Sequence, residues 1–511
     1  MTYAPRRALL PLLLSSLVLA GCAIKPQPLT VDERKAALAK AQQSIYADQE
    51  AVSGPISLEE AMARALKYNL DQRVKLMEEA VTRRQLSMAN VDLLPKLTAS
   101  AGYTNRNNVL ASSSENVVTG TQSLVPSTST DDSLTRADLG LSWNILDFGV
   151  SYYTAQQQSD RVLVMQERRR KVVQQLMQQV RQAYWQAVGA QQVEAKLQQV
   201  LAQAETALAD LQKIERERLL SPLDTLNQQR QLLDVIRQMN AIQDELAQAK
   251  PRLAAIMNLA PGSHFTLDAA PADLPAPLLL QNLEALEESA LINRPELVEA
   301  HYNERISVRE TRKAMLKLLP GIEFNAGAHY DSNSYLVNNH WRDVGIRVSW
   351  NLINLLNARN IRDTARAQED VAKSQHLALN MAVLTQVHVA YRDYQGKQRQ
   401  YELNNRLNGV EQSLLRHTQN QAKLDARGKT EEIRASASAL VSELRLFQSY
   451  SALQSAYGQV QATLGQDPLP PTVSGHDLKT LQQAVRQAEQ DWLQRQALLT
   501  KTQKENPLHG T

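Results

Sequence analysis

At 511 residues the chain could hold two to four globular domains, yet only 5% of it is aromatic and Phe occurs four times, which argues against large aromatic-lined cores. Its many Ala, Gln and Leu residues suit long helices and coiled coils instead. The net charge is +3, with Arg6 and Arg7 supplying two positives at the very start, so the rest is close to neutral and unlike a nucleic-acid binder; the single cysteine excludes disulfides and thiolate metal centres.

Arg6-Arg7 precede LLPLLLSSLVLA and then Gly21-Cys22. A basic stretch followed by about a dozen apolar residues reads as an export signal, too short to cross a bilayer. Leu19-Ala20-Gly21-Cys22 resembles the bacterial lipobox. That resemblance implies that residues 1–21 are a lipoprotein signal peptide and that Cys22 is acylated; a plain secretory signal with a stray cysteine is the alternative. Ala23 is not Asp, so the commonest inner-membrane retention signal of that class is missing. Acyl chains anchor a protein without spanning the membrane, so a span must come from elsewhere.

After an N-terminal periplasmic segment, 22–56, the chain is written twice. Trp143 aligns with Trp350, Tyr184 with Tyr391, Ser221 with Gly428 and Pro261 with Pro468, all at an offset of 207. Upstream, LLPKL at 93–97 matches LLPGI at 318–322, and Leu58-Glu59 matches Leu283-Glu284, both at 225. The first copy therefore holds 18 more residues between Pro95 and Trp143, in a polar, turn-rich loop. Repeat 1 spans 57–261, a Pro-rich linker 262–279, repeat 2 spans 280–468, and a C-terminal tail 469–511.

Within repeat 1, Ser57-Leu58-Glu59-Glu60 is a capping box opening a helix that is expected to run to about Leu94, before Pro95. Leu97, Ala99, Ala101 and Tyr103 then alternate with Thr98, Ser100 and Thr104, the period of a strand. Ala137, Leu139, Leu141, Trp143 and Ile145 alternate with Asp138, Gly140, Ser142 and Asn144 in a return strand, giving a β-hairpin over about 96–147. Next comes a proline-free stretch, 149–221, with Val173, Leu176, Val180, Tyr184 and Ala187, then Leu197, Val200, Ala204, Leu208 and Leu211, at coiled-coil spacing. Ser221-Pro222-Leu223-Asp224 starts another helix, expected near 222–259: Ser at N-cap, Pro at N1, acid at N3.

Repeat 2 has the same grammar. Its strands set Ile322, Phe324, Ala326, Ala328 and Tyr330 against Glu323, Asn325, Gly327 and His329, and Val344, Ile346, Val348, Trp350 and Leu352 against Arg347, Ser349 and Asn351, a hairpin over about 321–353. Around Arg427-Gly428-Lys429-Thr430-Glu431-Glu432 lies the matching helical turn, with Gly428 as its expected C-cap. A helix of about 70 residues is roughly 105 Å long, and two half-length helices placed end to end nearly match it. One long helix flanked by two stacked half-length helices is the expected unit. The linker, the N-terminal segment and the tail, helical at 477–504, are expected to belt its middle.

Each copy supplies one hairpin, so the chain supplies about four strands that alternate as a bilayer wall does. Four strands cannot close a barrel, and open edges do not survive in hydrocarbon. Three chains would pool about twelve. Trp143 and Trp350, at strand ends, suit the aromatic girdle of a membrane interface.

In its helix opening SLEEAMARALKYN, the LLPKL and LLPGI strand starts, LSWNILDFG, Arg294-Pro295-Glu296-Leu297 and the two helical turns, all in duplicated order, the chain resembles the TolC-type outer membrane factor family. The resemblance covers nearly the whole mature chain. It implies a mainly α fold with a small β part: a homotrimer with one shared outer-membrane barrel of about twelve strands on a periplasmic α-helical tunnel. It also implies partners, a periplasmic adaptor and an inner-membrane transporter of the RND or ABC class, and outer membrane lipid around the barrel. One departure is Leu355-Leu356 where the first copy has Phe148-Gly149, so the second strand-to-helix turn is expected to differ; the helical tip is a weak match.

No catalytic motif is present. Gly428-Lys429-Thr430 ends like a phosphate-binding loop, but the glycine needed five positions earlier is Lys423. The histidines are scattered from His264 onward, and His376 and His388 are too far apart on one helix to share a metal. A non-enzyme with no cofactor beyond the Cys22 lipid, and no metal, is expected. The family places acidic residues around a gate at the tip, which here implicates Arg218, Asp224, Arg427, Lys429, Glu431 and Glu432. Their bland role is to complement helix termini. The function expected is passive exit in tripartite efflux; a type I secretion duct is the alternative, and a lipid-anchored coiled-coil scaffold without a pore is the alternative of another class.

Overall fold

A computed structural model describes residues 26–505 apart from 48, 218–220, 261, 272, 423–427, 471, 472 and 474. The expected signal peptide, Cys22, Arg218 and Arg427 lie outside the described residues. The chain divides into two compact units at Ala51 and Val52. In the first, α1 (Val31–Ile45) is closed by a capping box: Thr30 Oγ1 accepts from the Glu33 N–H, and the Glu33 carboxylate accepts from the Thr30 N–H.

The second unit carries the repeat. Copy one contains α2 (Leu58–Tyr68), α3 (Leu70–Val91), β1 (Lys96–Asn105), a loop ribbon of β2 (Ala111–Ser112) and β3 (Ser127–Thr128), β4 (Ser133–Asn144), α4 (Ile145–Arg216), α5 (Pro222–Ala247) and α6 (Ala249–Ile256). Copy two contains α7 (Leu283–Asn293), α8 (Pro295–Leu316), β5 (Gly321–Asp331), β6 (His340–Ser349), α9 (Leu352–Leu356), α10 (Ala358–Ala422) and α11 (Gly428–Thr463); α12 (Leu478–Glu505) follows. The copies end alike. Asn258 and Gly465, 207 positions apart, both adopt positive φ, +58° and +71°. Each is followed by an N–H reaching back five residues, Leu259 to Ala254 at 2.8 Å and Gln466 to Gln461 at 3.0 Å. These are paired left-handed helix caps.

Two expected helices are broken. The helix expected over 57–94 divides at Asn69, whose extended backbone ends α2 while its side chain accepts from the Asp71 and Gln72 N–H groups to start α3. In copy two, Pro295 at N1 makes the same joint after Arg294. The helix expected near 222–259 divides at Gln248. Pro251 has no N–H to give the Ala247 carbonyl, and its ring crowds that carbonyl. Copy two has Gly458 at the aligned position, and α11 runs unbroken for 36 residues. Gly428 is the first residue of α11, not the cap of the helix before it. The strand-to-helix turns do differ: α4 continues through Phe148-Gly149, where a Cβ on Gly149 would stand 3.3 Å from Leu316 of α8, whereas copy two separates α9 from α10 at Asn357.

The long α4 packs on α3 and α8 along its first half and on α5 and α11 along its second. Its expected seam residues are buried, Leu208 being half-buried. Burial of this stripe, at roughly 25 cal/mol per Å² of apolar surface, holds a helix of 72 residues that local propensity alone would not fix. The Pro-rich linker crosses these helices through its carbonyls. Tyr394 of α10 donates to Pro277 O, Tyr401 to Leu274 O, and Tyr450 of α11 to Pro275 O. A segment poor in N–H groups cannot pair as a strand, so hydroxyl donors satisfy its acceptors instead. Tyr450 is pushed up to about 12, chiefly by burial, which keeps this donor protonated. The tail helix α12 packs on α2, and Trp492 Nε1 donates to the Tyr457 hydroxyl at 2.9 Å.

Candidate functional site

Two regions carry functional geometry: the sheet and the helical tip. All pairings in the main sheet are antiparallel, in the order β1-β4-β5-β6, so the two hairpins are joined through β4 and β5. The register aligns the alternation across all four strands. Leu97, Leu141, Ala326 and Val344 form one row, and Trp143, Phe324 and Ile346 form another. The intervening rows are polar: Thr98, Gly140, Gly327, Asp343, then Ser100, Asp138, His329, Trp341. Arg342 and His340 are exceptions within the apolar face near the loop end of β6.

On the polar face the His329 ring lies between Asp138, 2.7 Å from Nδ1, and Asp343, 3.3 Å from Nε2, and stacks on Trp341 at 5.1 Å. The apolar face is uncovered. Val344, Ile346 and Val348 are 86%, 70% and 66% exposed, and every position of β1 and β6 is exposed. A continuous apolar sheet face open to water is a surface built for another medium or another chain. Strands of 10 to 12 residues match the thickness of a bilayer core. Trp143 lies in this face, its ring edge-on to Phe148 at 5.8 Å; Trp350, just past β6, donates from Nε1 to Leu318 O at 2.9 Å. Both expected anchors thus stand at the helix-side rim.

At the opposite ends of the helices, Asp224 lies exposed in the first turn of α5, and Lys429 and Glu431 lie exposed in the first turn of α11, with Glu432 half-buried. Ser221 occupies the N-cap position of α5 without a side-chain hydrogen bond. Glu431 pairs with Arg434 of its own helix at 3.0 Å. The starts of α5 and α11 are joined to the end of α4 by one apolar cluster that includes Leu211, Leu232 and Ile433.

Between sheet and tip, buried charges fix the helices in register. Asp160 of α4 receives Arg305 and Arg309 of α8. Glu79 of α3 would be raised by burial, but Arg83 at 2.8 Å and the nearby Arg169 outweigh this and hold its carboxyl below the usual range. Glu296 of α8 behaves alike: burial raises it, while Arg294 and Lys171 lower it further. Glu79 and Glu296 have partners close in sequence, Arg83 and Arg294, whereas Asp160 carries no local sequence signal because its arginines come from a distant helix. Histidines are paired the same way: His388 with Glu287, and His376 with Glu304 rather than with another histidine of its own helix.

Residues 61–259 match the family model for outer membrane efflux proteins. No curated protein matches the chain in sequence. Among solved structures, the outer-membrane channel OprN is similar with a TM-score of 0.61 at 20% identity, over 80% of this chain and 89% of that one. The Campylobacter jejuni CmeC outer membrane channel gives 0.62 at 13% identity, over 87% and 93%. The open state of the Neisseria gonorrhoeae MtrE outer membrane channel gives 0.57 at 15%, over 80% and 94%. The first repeat thus matches the outer membrane efflux protein family, and the chain as a whole has the fold of these outer-membrane channels.

Proposed function

We propose that the chain is one third of a passive outer-membrane exit channel of a tripartite efflux system, lipid-anchored through Cys22. Three copies pool their strands into one barrel, and the helices continue it as a periplasmic tunnel that docks an adaptor and an energised inner-membrane pump. The observation that carries this reading is the four-stranded sheet, open at β1 and at β6 and apolar on an uncovered face. Neither edge can remain unpaired in hydrocarbon. Exposed apolar stripes on opposite copies support the same assembly: Leu70, Val74, Met77, Val81, Met88 and Val91 on α3, and Leu403, Leu407, Val410 and Leu414 on α10, both at heptad spacing. The two stripes lie at different distances from the sheet, one near it and one toward the tip, so each would meet a different surface of the neighbouring chain, and such heterologous contacts form a ring when the rotation closes.

The tip acids are assigned to the gate region. Three-fold symmetry triples each charge around the axis and creates a field for cations. Neutralising Glu431 and Glu432 together, as Gln, is expected to change single-channel conductance or divalent-cation block in planar bilayers. Helix capping alone would leave both unchanged, and unchanged traces from a correctly assembled channel would remove these residues from the gate.

A further inference from the structure

A histidine and a glutamate of α8 meet a histidine 72 positions beyond the glutamate where α8 packs against α10. His301 and Glu304, three residues apart, share one face of α8, and His376 reaches them from α10. One donor atom from each lies within 4.8 Å of the others. His376 Nδ1 and a Glu304 carboxylate oxygen are 3.1 Å apart, and the His301 and His376 rings meet at 6.1 Å.

We propose that His301, Glu304 and His376 bind a borderline divalent transition metal ion of the Zn²⁺, Cu²⁺ or Ni²⁺ class, which clasps α8 to α10. Donors about 2.1 Å from a tetrahedral ion stand about 3.4 Å from one another. The His376–Glu304 separation already meets that spacing, and the third donor needs at most about 1.4 Å of side-chain movement. His301 is exposed and the other two are half-buried, so the side chains have freedom to close and water can complete the coordination shell. Two imidazoles and one carboxylate suit these ions and not Ca²⁺ or Mg²⁺, which take oxygen donors. The nearest lysine on α10, Lys373, is engaged by Glu369 at 2.8 Å. Because the ligands come from two helices, the ion opposes their sliding, a constraint that neither helix meets alone.

The test uses the full chain without a histidine tag, stripped with chelator and titrated with Zn²⁺ in a calorimeter. One saturable site per chain is expected, and H301A, H376A and E304Q should each weaken it at least tenfold, on the order of the loss seen when metal-site partners are removed. H388A, whose imidazole faces Glu287 at 2.7 Å, should bind as the unaltered chain does. A second measurement needs no variant: saturating Zn²⁺ should protect His301 and His376, but not His388, from modification by an imidazole-acylating reagent read by mass spectrometry. Absence of saturable binding, equal affinity in the H301A/H376A double variant, or no protection of the two rings would each overturn the site.

Discussion

Replacing Asp160 by Ala is expected to cost about 2–3 kcal/mol of stability, the loss of charge-assisted hydrogen bonds whose arginine partners remain partly solvated. Asp160 is 1% exposed. Its oxygens receive Arg305 Nε at 3.0 and 3.1 Å and the Arg309 guanidinium, and Arg309 also donates to Gln156 O at 2.9 Å. Without the carboxylate, two guanidinium groups of α8 face each other against α4 with no counter-charge. Urea unfolding followed by helical circular dichroism should show a lower midpoint for D160A. Replacing the triad together, by Asp160→Leu, Arg305→Met and Arg309→Met, should recover most of the loss, because apolar packing avoids the desolvation that the ions incur. An unchanged midpoint for D160A would mean that the triad is not a stabilising contact between the copies.

Gly465→Ala should cost about 2–4 kcal/mol, for two reasons that add. The residue sits at φ +71°, where an L side chain loses about 1 kcal/mol relative to glycine. A Cβ would also stand 2.3 Å from Asn293 O and 2.7 Å from Arg294 N, the backbone joint between α7 and α8. Backbone cannot turn aside as a side chain does, so overpacking adds about 1–3 kcal/mol. Asn258, its counterpart in copy one, already carries a Cβ at positive φ, so Asn258→Ala adds no overpacking and should cost less than Gly465→Ala. Equal losses at the two positions in thermal unfolding would contradict the assigned close approach.

The repeat was legible in the sequence because Trp, Tyr and Pro recur at a constant offset, and each marks a place where geometry is costly to change. Strand alternation was equally plain, since a period of two puts Val344, Ile346 and Val348 on one face whatever covers it. The joint at Asn69 was hidden. An Asn inside a strongly periodic stretch reads as a surface residue until its side chain is seen capping the next helix. Pro251 lies inside the helix expected near 222–259, and its effect was missed: the chain divides three residues earlier, at Gln248, next to the Ala247 carbonyl that loses its hydrogen bond. Gly428 looked like a helix end because glycine favours that place, yet it opens α11. Asp160 had no local signal, and in the His301–Glu304–His376 group the i,i+3 pair on α8 gave no hint of its third member. Their partners are supplied by helices from the other end of a hairpin or by the other copy, and only packing brings them together.

The most direct test of the pooled barrel is disulfide cross-linking between β1 and β6 in outer membranes, with one cysteine at Thr98 or Ser100 and one at Asp343 or Gly345. Within one chain these strands are separated by two others, about 14 Å at the usual strand spacing and beyond disulfide reach. Cys22 is the only native cysteine, so the new bonds are unambiguous. A ladder of covalent species ending at three chains is the predicted result. A single monomer band at every pair of positions, with the chain folded, would contradict a barrel shared among copies.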